Sequence, residues 1–130
     1  MPALFVHDDA QADLEALWKK EPQAAGRIPA LLEQLEGDPD LLDHLTQHDY
    51  GAHRSADFHV SKWQAHWRRG RDLWRLKLWD LENKGLRYRV VYAFEPRRRH
   101  YHVLVVASRE LNYDPNHPIS RRILRAYRAL

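Results

Sequence analysis

The sequence predicts an α+β fold: N-terminal helices packed on a small twisted antiparallel sheet of about four strands, with a C-terminal helix. Three observations carry this expectation. Leucines and alanines recur at helical spacing through the first third of the chain. Residues 73–108 instead alternate apolar and basic side chains with a period of two, the signature of strands. Helical spacing then returns in Ile119–Leu130. The 130 residues contain no repeat, low-complexity tract or linker, so a single domain is expected over 1–130.

The elements follow in order. Leu4–Val6 is a short apolar run that suits an edge strand. Asp8 or Asp9 then caps a helix carrying Ala10, Leu14, Leu17 and Trp18 at i, i+4, i+7 and i+8. Pro22 and Pro29 each suit a first helical turn, with Gly26 interrupting between them, and Ile28, Leu31, Leu32 and Leu35 make the next apolar stripe. Gly37 stops that helix, and Asp38-Pro39 starts a shorter one with Leu41, Leu42 and Leu45. In residues 46–72, Tyr50-Gly51 signals a turn, Phe58–Val60 a brief strand, and Trp63 with Trp67 a helical turn or two. Arg68-Arg69-Gly70-Arg71 makes a basic turn into three strands, Leu73–Trp79, Leu86–Phe94 and Tyr101–Ser108. Asp80–Gly85 and Glu95–His100 are short enough for hairpin loops. Asp114-Pro115 and His117-Pro118 turn the chain into the last helix, whose arginines 121, 122, 125 and 128 oppose Ile123, Leu124, Tyr127 and Leu130.

Side-chain alternation makes the strands informative. Trp74, Leu76 and Leu78 point to one face, Arg75 and Lys77 to the other. In the next strand Tyr88, Val90, Tyr92 and Phe94 share a face opposite Arg87 and Arg89. Paired as a hairpin, the strands bring four cations to one side of a sheet, which suits a bound polyanion and not a core. An arginine at position 89, beside a Val-Val-Tyr run, needs a partner; Glu82, Glu95 or Glu110 can supply one.

Composition narrows the classes. No cysteine is present, which excludes disulfides, thiolate zinc sites and a cysteine nucleophile, and fits a reducing cytoplasm. No run of 18 apolar residues occurs, and Met1–Ala10 has neither a basic leader nor an apolar stretch, so neither a membrane span nor a secretory signal is expected. The net charge of +3 conceals an asymmetry. Residues 1–60 hold four Lys/Arg against twelve Asp/Glu, and residues 61–130 hold seventeen against six. Either the halves neutralise each other within the fold, or the basic half faces nucleic acid or an acidic protein. Arg68, Arg69, Arg71, Arg87, Arg97, Arg98, Arg99 and His117 are the further candidates for nucleic-acid contact, and Trp79 the candidate for stacking on a base. Nine histidines lack the tight third-ligand spacing of a metal site, so no metal and no cofactor are expected.

The run Trp74-Arg75-Leu76-Lys77-Leu78, a short turn, Tyr88-Arg89-Val90-Val91-Tyr92-Ala93-Phe94, then Val103–Ala107 ending in Arg109 resembles the RelE/ParE superfamily of type II toxin–antitoxin toxins. The resemblance covers residues 72–113 well and the rest in outline, the helical N-terminal region fitting the family's layout; the long Thr46–Asp72 segment and the tryptophan content depart from it. RelE-like members are ribosome-dependent endoribonucleases that cut mRNA, whereas ParE-like members inhibit DNA gyrase. The resemblance to RelE-like nucleases implies that Arg75, Lys77, Arg89, Arg109 and Tyr113 form a catalytic set. Histidine near the C-terminus in some relatives keeps His117 beside Tyr113 as a base. It also implies a cytoplasmic toxin with a cognate antitoxin, the ribosome and mRNA as partners.

The chemistry is consistent with those residue types. Cutting RNA without a metal requires deprotonating a 2′-hydroxyl, neutralising a phosphorane-like transition state and protonating the 5′-oxygen. Fixed cations stabilise the charge that develops, at about 3 kcal/mol per well-placed donor. A tyrosine with a pKa of about 10 is a weak base at neutral pH, and surrounding cations favour its phenolate. Two other readings remain at this level: a ParE-like toxin acting on a protein such as gyrase, and a non-catalytic nucleic-acid or partner-binding module.

Overall fold

The computed structural model describes residues 2–109 and 117–130. Its strands are β1 (Ala3–Val6), β2 (Phe58–Lys62), β3 (Leu73–Leu78), β4 (Tyr88–Glu95) and β5 (His100–Ser108). The helices are α1 (Asp8–Lys20), α2 (Pro22–Glu36), α3 (Pro39–Asp43), the single turns α4 (Gln64–Trp67) and α5 (Trp79–Asn83), and α6 (Pro118–Arg128). The architecture is α+β, with one open sheet in the order β1-β5-β4-β3-β2.

The sheet differs from expectation in two respects. It has five strands, because Phe58–Lys62 is long enough to pair antiparallel with β3 along its whole length. It is also mixed: β1 lies parallel to β5, which the chain reaches only after the helices α1 to α5 and β2, β3 and β4. Between Val91 and Tyr92 of β4 the register with β5 shifts, leaving Leu104 without a partner across the ladder. This bulge turns both Leu104 and Val105 toward the same core.

Alternation sorts the side chains into two layers. Trp74, Leu76, Leu78, Val90, Tyr92, Tyr101 and Val103 pack under the leucines and alanines of α1 and α2. On the opposite face Leu73, Val91, Ala93, Leu104 and Val105 pack against Ile123 and Ala126 of α6 and against Trp63. α6 is docked by Asp13 of α1, whose carboxylate accepts from Arg122 Nη1 and Nη2 at 3.1 and 2.5 Å and from the Val106 N–H at 3.0 Å. The second face is therefore covered at one end and left open at the other, where Arg75, Lys77 and Arg89 stand.

Several local expectations change. Gly26 does not break the second helix: α2 runs through Gly26 and Pro29. Ala24, Ala25, Ile28, Leu31, Leu32 and Leu35 form one unbroken buried stripe, which offsets the hydrogen bond that Pro29 cannot donate. The α1 cap is His7, not Asp8 or Asp9; its Nδ1 accepts from the Asp9 N–H at 3.1 Å, and the two aspartates occupy the positive first turn. Asp38 caps α3 as expected, accepting from Leu41 N–H. Strand β3 ends at Leu78, because Trp79 begins the α5 turn that fills most of the connection to β4. The last helix starts at Pro118, capped by His117, and stops at Arg128.

Candidate functional site

The open end of the second face forms a cavity of about 480 Å³ lined by Arg75, Lys77, Arg89 and Arg109 together with Glu82, Asp49, His48, His59 and Ser61. Arg75 and Lys77 are alternate residues of β3, Arg89 comes from β4, and Arg109 follows β5, its N–H prolonging the ladder by donating to the Arg87 carbonyl at 2.7 Å. Four of the five residues expected as a catalytic set thus converge. The fifth, Tyr113, lies outside the described residues.

The cations differ in their circumstances. The Arg89 side chain is largely buried, and Nη1 donates to a Glu82 carboxylate oxygen and to the Tyr88 carbonyl. Of the three acids that could have served it, α5 brings in Glu82. Nε of Arg75 donates to the Ser61 hydroxyl at 2.9 Å. Lys77 is half-buried; desolvation lowers its pKa, the Arg89, Arg109 and Arg75 guanidiniums lower it further, and Glu82 works against them. Arg109 is exposed.

A second group of side chains meets this one from the edge strand. Asp49 Oδ1 lies 3.1 Å from His59 Nε2, and Oδ2 lies 3.5 Å from His48 Nε2. The hydrogen bond from His59 holds the Asp49 carboxyl below the usual carboxylate range, more than desolvation raises it. His59 stacks on Trp79 with ring centroids 5.6 Å apart. The Lys77 ammonium sits 4.8 Å from the Trp79 ring centroid and the Arg54 guanidinium 5.5 Å from it. Trp79 thus backs two side chains that line the cavity without lining it itself, and its Nε1 is held by the Gly51 carbonyl at 2.8 Å. Sequence reasoning missed Asp49, His48, His59 and Ser61 as site residues. The signal was present in part, since His48 and His59 were visible as histidines, but only the pairing of β2 with β3 brings them here.

The remaining candidates for nucleic-acid contact are dispersed. Arg87 is exposed and lines a neighbouring cavity of about 670 Å³ with Arg109, Tyr88 and Glu21. Arg68 and Arg69 are exposed on the turn before β3, and Arg71 reaches His66 Nδ1 at 3.1 Å. Arg97 and Arg98 are exposed at the β4–β5 tip, and Arg99 is tied in bidentate fashion to Asp43 at 2.8 and 2.7 Å. Both basic turns lie at the sheet end opposite the cavity, because β3 begins beside the end of β4. From the level of Arg89 to Arg97 the strand rise amounts to about 26 Å. His117 spends its Nδ1 on capping α6, accepting from the Ile119 N–H at 3.1 Å.

Among the described residues, no group of three or more His, Asp or Glu could hold a metal ion, and no helix is long and apolar enough to cross a membrane. Comparisons with protein-family models, with curated proteins and with solved structures each return no match. Four cations against two carboxylates give the cavity a net charge of +2 with neutral histidines, a setting suited to one or two phosphate groups beside an imidazole.

Proposed function

We propose that this chain is a RelE/ParE-type toxin acting as a metal-independent endoribonuclease on mRNA at the ribosome, in the cytoplasm and restrained by a cognate antitoxin. The observation that carries the reading is the convergence of Arg75 and Lys77 from β3, Arg89 from β4 and Arg109 just beyond β5 on one cavity. In this reading Arg75 and Arg109 contact the scissile phosphate. Arg89, paired with Glu82, lines the cavity between β3 and β5 and helps hold Lys77 at a lowered pKa. Lys77 protonates the 5′-leaving oxygen, a role favoured by its lowered pKa.

One observation favours the non-catalytic alternative. Glu82 already neutralises Arg89, so the cavity offers less charge than the sequence promised. The same experiment separates the two. The protein is expressed under induction and cellular mRNA 5′ ends are mapped, with Lys77→Met and Arg109→Ala beside wild type. Both variants leave the buried Arg89–Glu82 pair intact. Growth arrest with codon-phased cuts that vanish in the variants is the expected result. Intact mRNA with arrested growth would point to a protein target such as gyrase, and unaffected growth to a binding module.

A further inference from the structure

We infer that His59, oriented by Asp49, is the general base that takes the 2′-hydroxyl proton of an RNA strand held in the cavity. The inference rests on the nuclease reading above and deepens it, because the resemblance to known toxins is carried by residues 72–113 and departs at the Thr46–Asp72 segment that holds β2.

The geometry is specific. His59 and Lys77 are direct partners in the β2–β3 register, so both side chains rise from the same face of the sheet. Cross-strand partners of this kind have Cβ atoms about 5 Å apart, which sets an imidazole beside the ammonium that faces the leaving group. Asp49 is held where His59 needs it. Its N–H donates to the Val60 carbonyl at 2.8 Å and the Val60 N–H donates to the Tyr50 carbonyl at 2.9 Å, stitching the loop along the outer edge of β2. Asp49 has a φ of 66°, a left-handed conformation that aspartate and asparagine adopt more readily than most residues. His48 completes the frame: its Nδ1 accepts from the Lys62 N–H at 3.0 Å, which leaves its Nε2–H turned to Asp49.

This frame fixes a tautomer. With the Asp49 carboxylate accepting from Nε2–H, a neutral His59 carries its lone pair on Nδ1, and among the described residues nothing hydrogen-bonds that nitrogen. A carboxylate behind an imidazole also stabilises the imidazolium that forms when a proton is taken. The parallel Trp79 ring stops the imidazole from swinging away. No phenol is required in this arrangement. A tyrosine at about 10 must be strongly perturbed to serve as a base.

The step balances without any further reactant. The 2′-oxygen gives its proton to Nδ1 of His59 and forms a bond to phosphorus. The bond from phosphorus to the 5′-oxygen breaks, and that oxygen takes a proton from Lys77 Nζ. The products are a 2′,3′-cyclic phosphate and a 5′-hydroxyl, and exchange with water returns both side chains to their starting states.

The test is single-turnover cleavage of ribosome-bound mRNA by the purified chain, comparing wild type, His59→Gln, His59→Ala with added imidazole, and Asp49→Asn. General-base removal costs typically about 10²–10⁴-fold, so His59→Gln should slow the chemical step at least about 100-fold while the half-saturating ribosome concentration stays within about threefold. Imidazole should restore part of the His59→Ala rate, which a merely structural role would not allow. Asp49→Asn keeps the backbone conformation and should slow cleavage about tenfold or more as a positioning residue. If His59→Gln is unfolded by circular dichroism, the Asp49→Asn rate decides, and a wild-type rate there overturns the inference. Full activity in His59→Gln, with Lys77→Met inactive, would leave the nuclease reading standing and sink His59 as base. A wild type that leaves mRNA intact would sink both.

Discussion

Replacing Glu82 by Gln separates what the cavity does for stability from what it does for a ligand. Glu82 holds Arg89, and the two side chains are only 14% and 10% exposed. Gln keeps the shape and a carbonyl acceptor but removes the charge. A hydrogen bond to a charged group is worth about 1.5–3 kcal/mol, and stranding one member of a fully buried pair costs about 3–5 kcal/mol. Because this pair borders an open cavity and Arg89 keeps the Tyr88 carbonyl, a loss of about 2–3 kcal/mol is expected. Unfolding entropy of about 2.1 cal/mol/K per residue gives a 130-residue chain about 0.27 kcal/mol/K, so Tm should fall by about 7–11 °C. Binding moves the other way. The substitution adds a unit of positive charge to the cavity, so a single-stranded RNA should bind more tightly at low salt, the gain shrinking as salt rises. Thermal melts by circular dichroism and fluorescence anisotropy with a labelled oligonucleotide measure the two effects. A Tm within about 2 °C of wild type would refute the pair as an anchor of the fold. Unchanged or weaker RNA binding would refute the cavity as a phosphate site.

Two further predictions test the fold that carries the site. Burial, and then the nearby Arg71 and Arg69, lower the pKa of His66 to about 4 from 6.5, so the folded chain keeps it neutral while the unfolded chain protonates it first. Its contribution is complete above pH 6.5 and is lost as the pH falls toward 4. Wild type should lose stability relative to His66→Gln over that window, by at most about 1.4 kcal/mol per pH unit, in denaturant titrations; a constant difference would contradict the argument. Gly51→Ala should destabilise by at least about 3 kcal/mol, because φ is +79° and the new Cβ would lie 1.7 Å from the Phe58 carbonyl oxygen. Gly70→Ala, at φ +74° with nothing within 4 Å, should cost only the backbone strain of about 1–2 kcal/mol, and equal effects would show that steric contact at Gly51 is not decisive.

Legibility in the sequence followed the strength of periodicity. The period of two across Trp74–Leu78 and Tyr88–Phe94 assigned each residue to its correct face, because one face is packed and a one-residue slip would expose every core side chain. The same alternation places Arg75, Lys77 and Arg89 on one side of the sheet. Helix α2 was misread at Gly26 because local propensity is weak against a continuous buried stripe. β2 was seen only as a fragment, since its five residues pair at an edge whose value depends on β3. That is also why His59 and Asp49 were missed: their proximity is set by a cross-strand register and a left-handed turn, neither of which has a local sequence signature. The long-range ion pairs were equally invisible. Asp13 with Arg122 and Asp43 with Arg99 join the acidic and basic halves within the fold, so part of the charge asymmetry is satisfied internally.

If the cations of this cavity hold backbone phosphate, the salt dependence of RNA binding must show it. An oligonucleotide with a 2′-deoxy residue at the cut site prevents cleavage, and affinity is measured from 50 to 200 mM salt for wild type and Lys77→Met/Arg109→Ala. Each phosphate contact on a single strand contributes a slope of about −0.7 in log K against log salt, so the double variant should bind more weakly with a slope shallower by about 1.4. Equal affinity and equal slope in the two proteins would contradict the account.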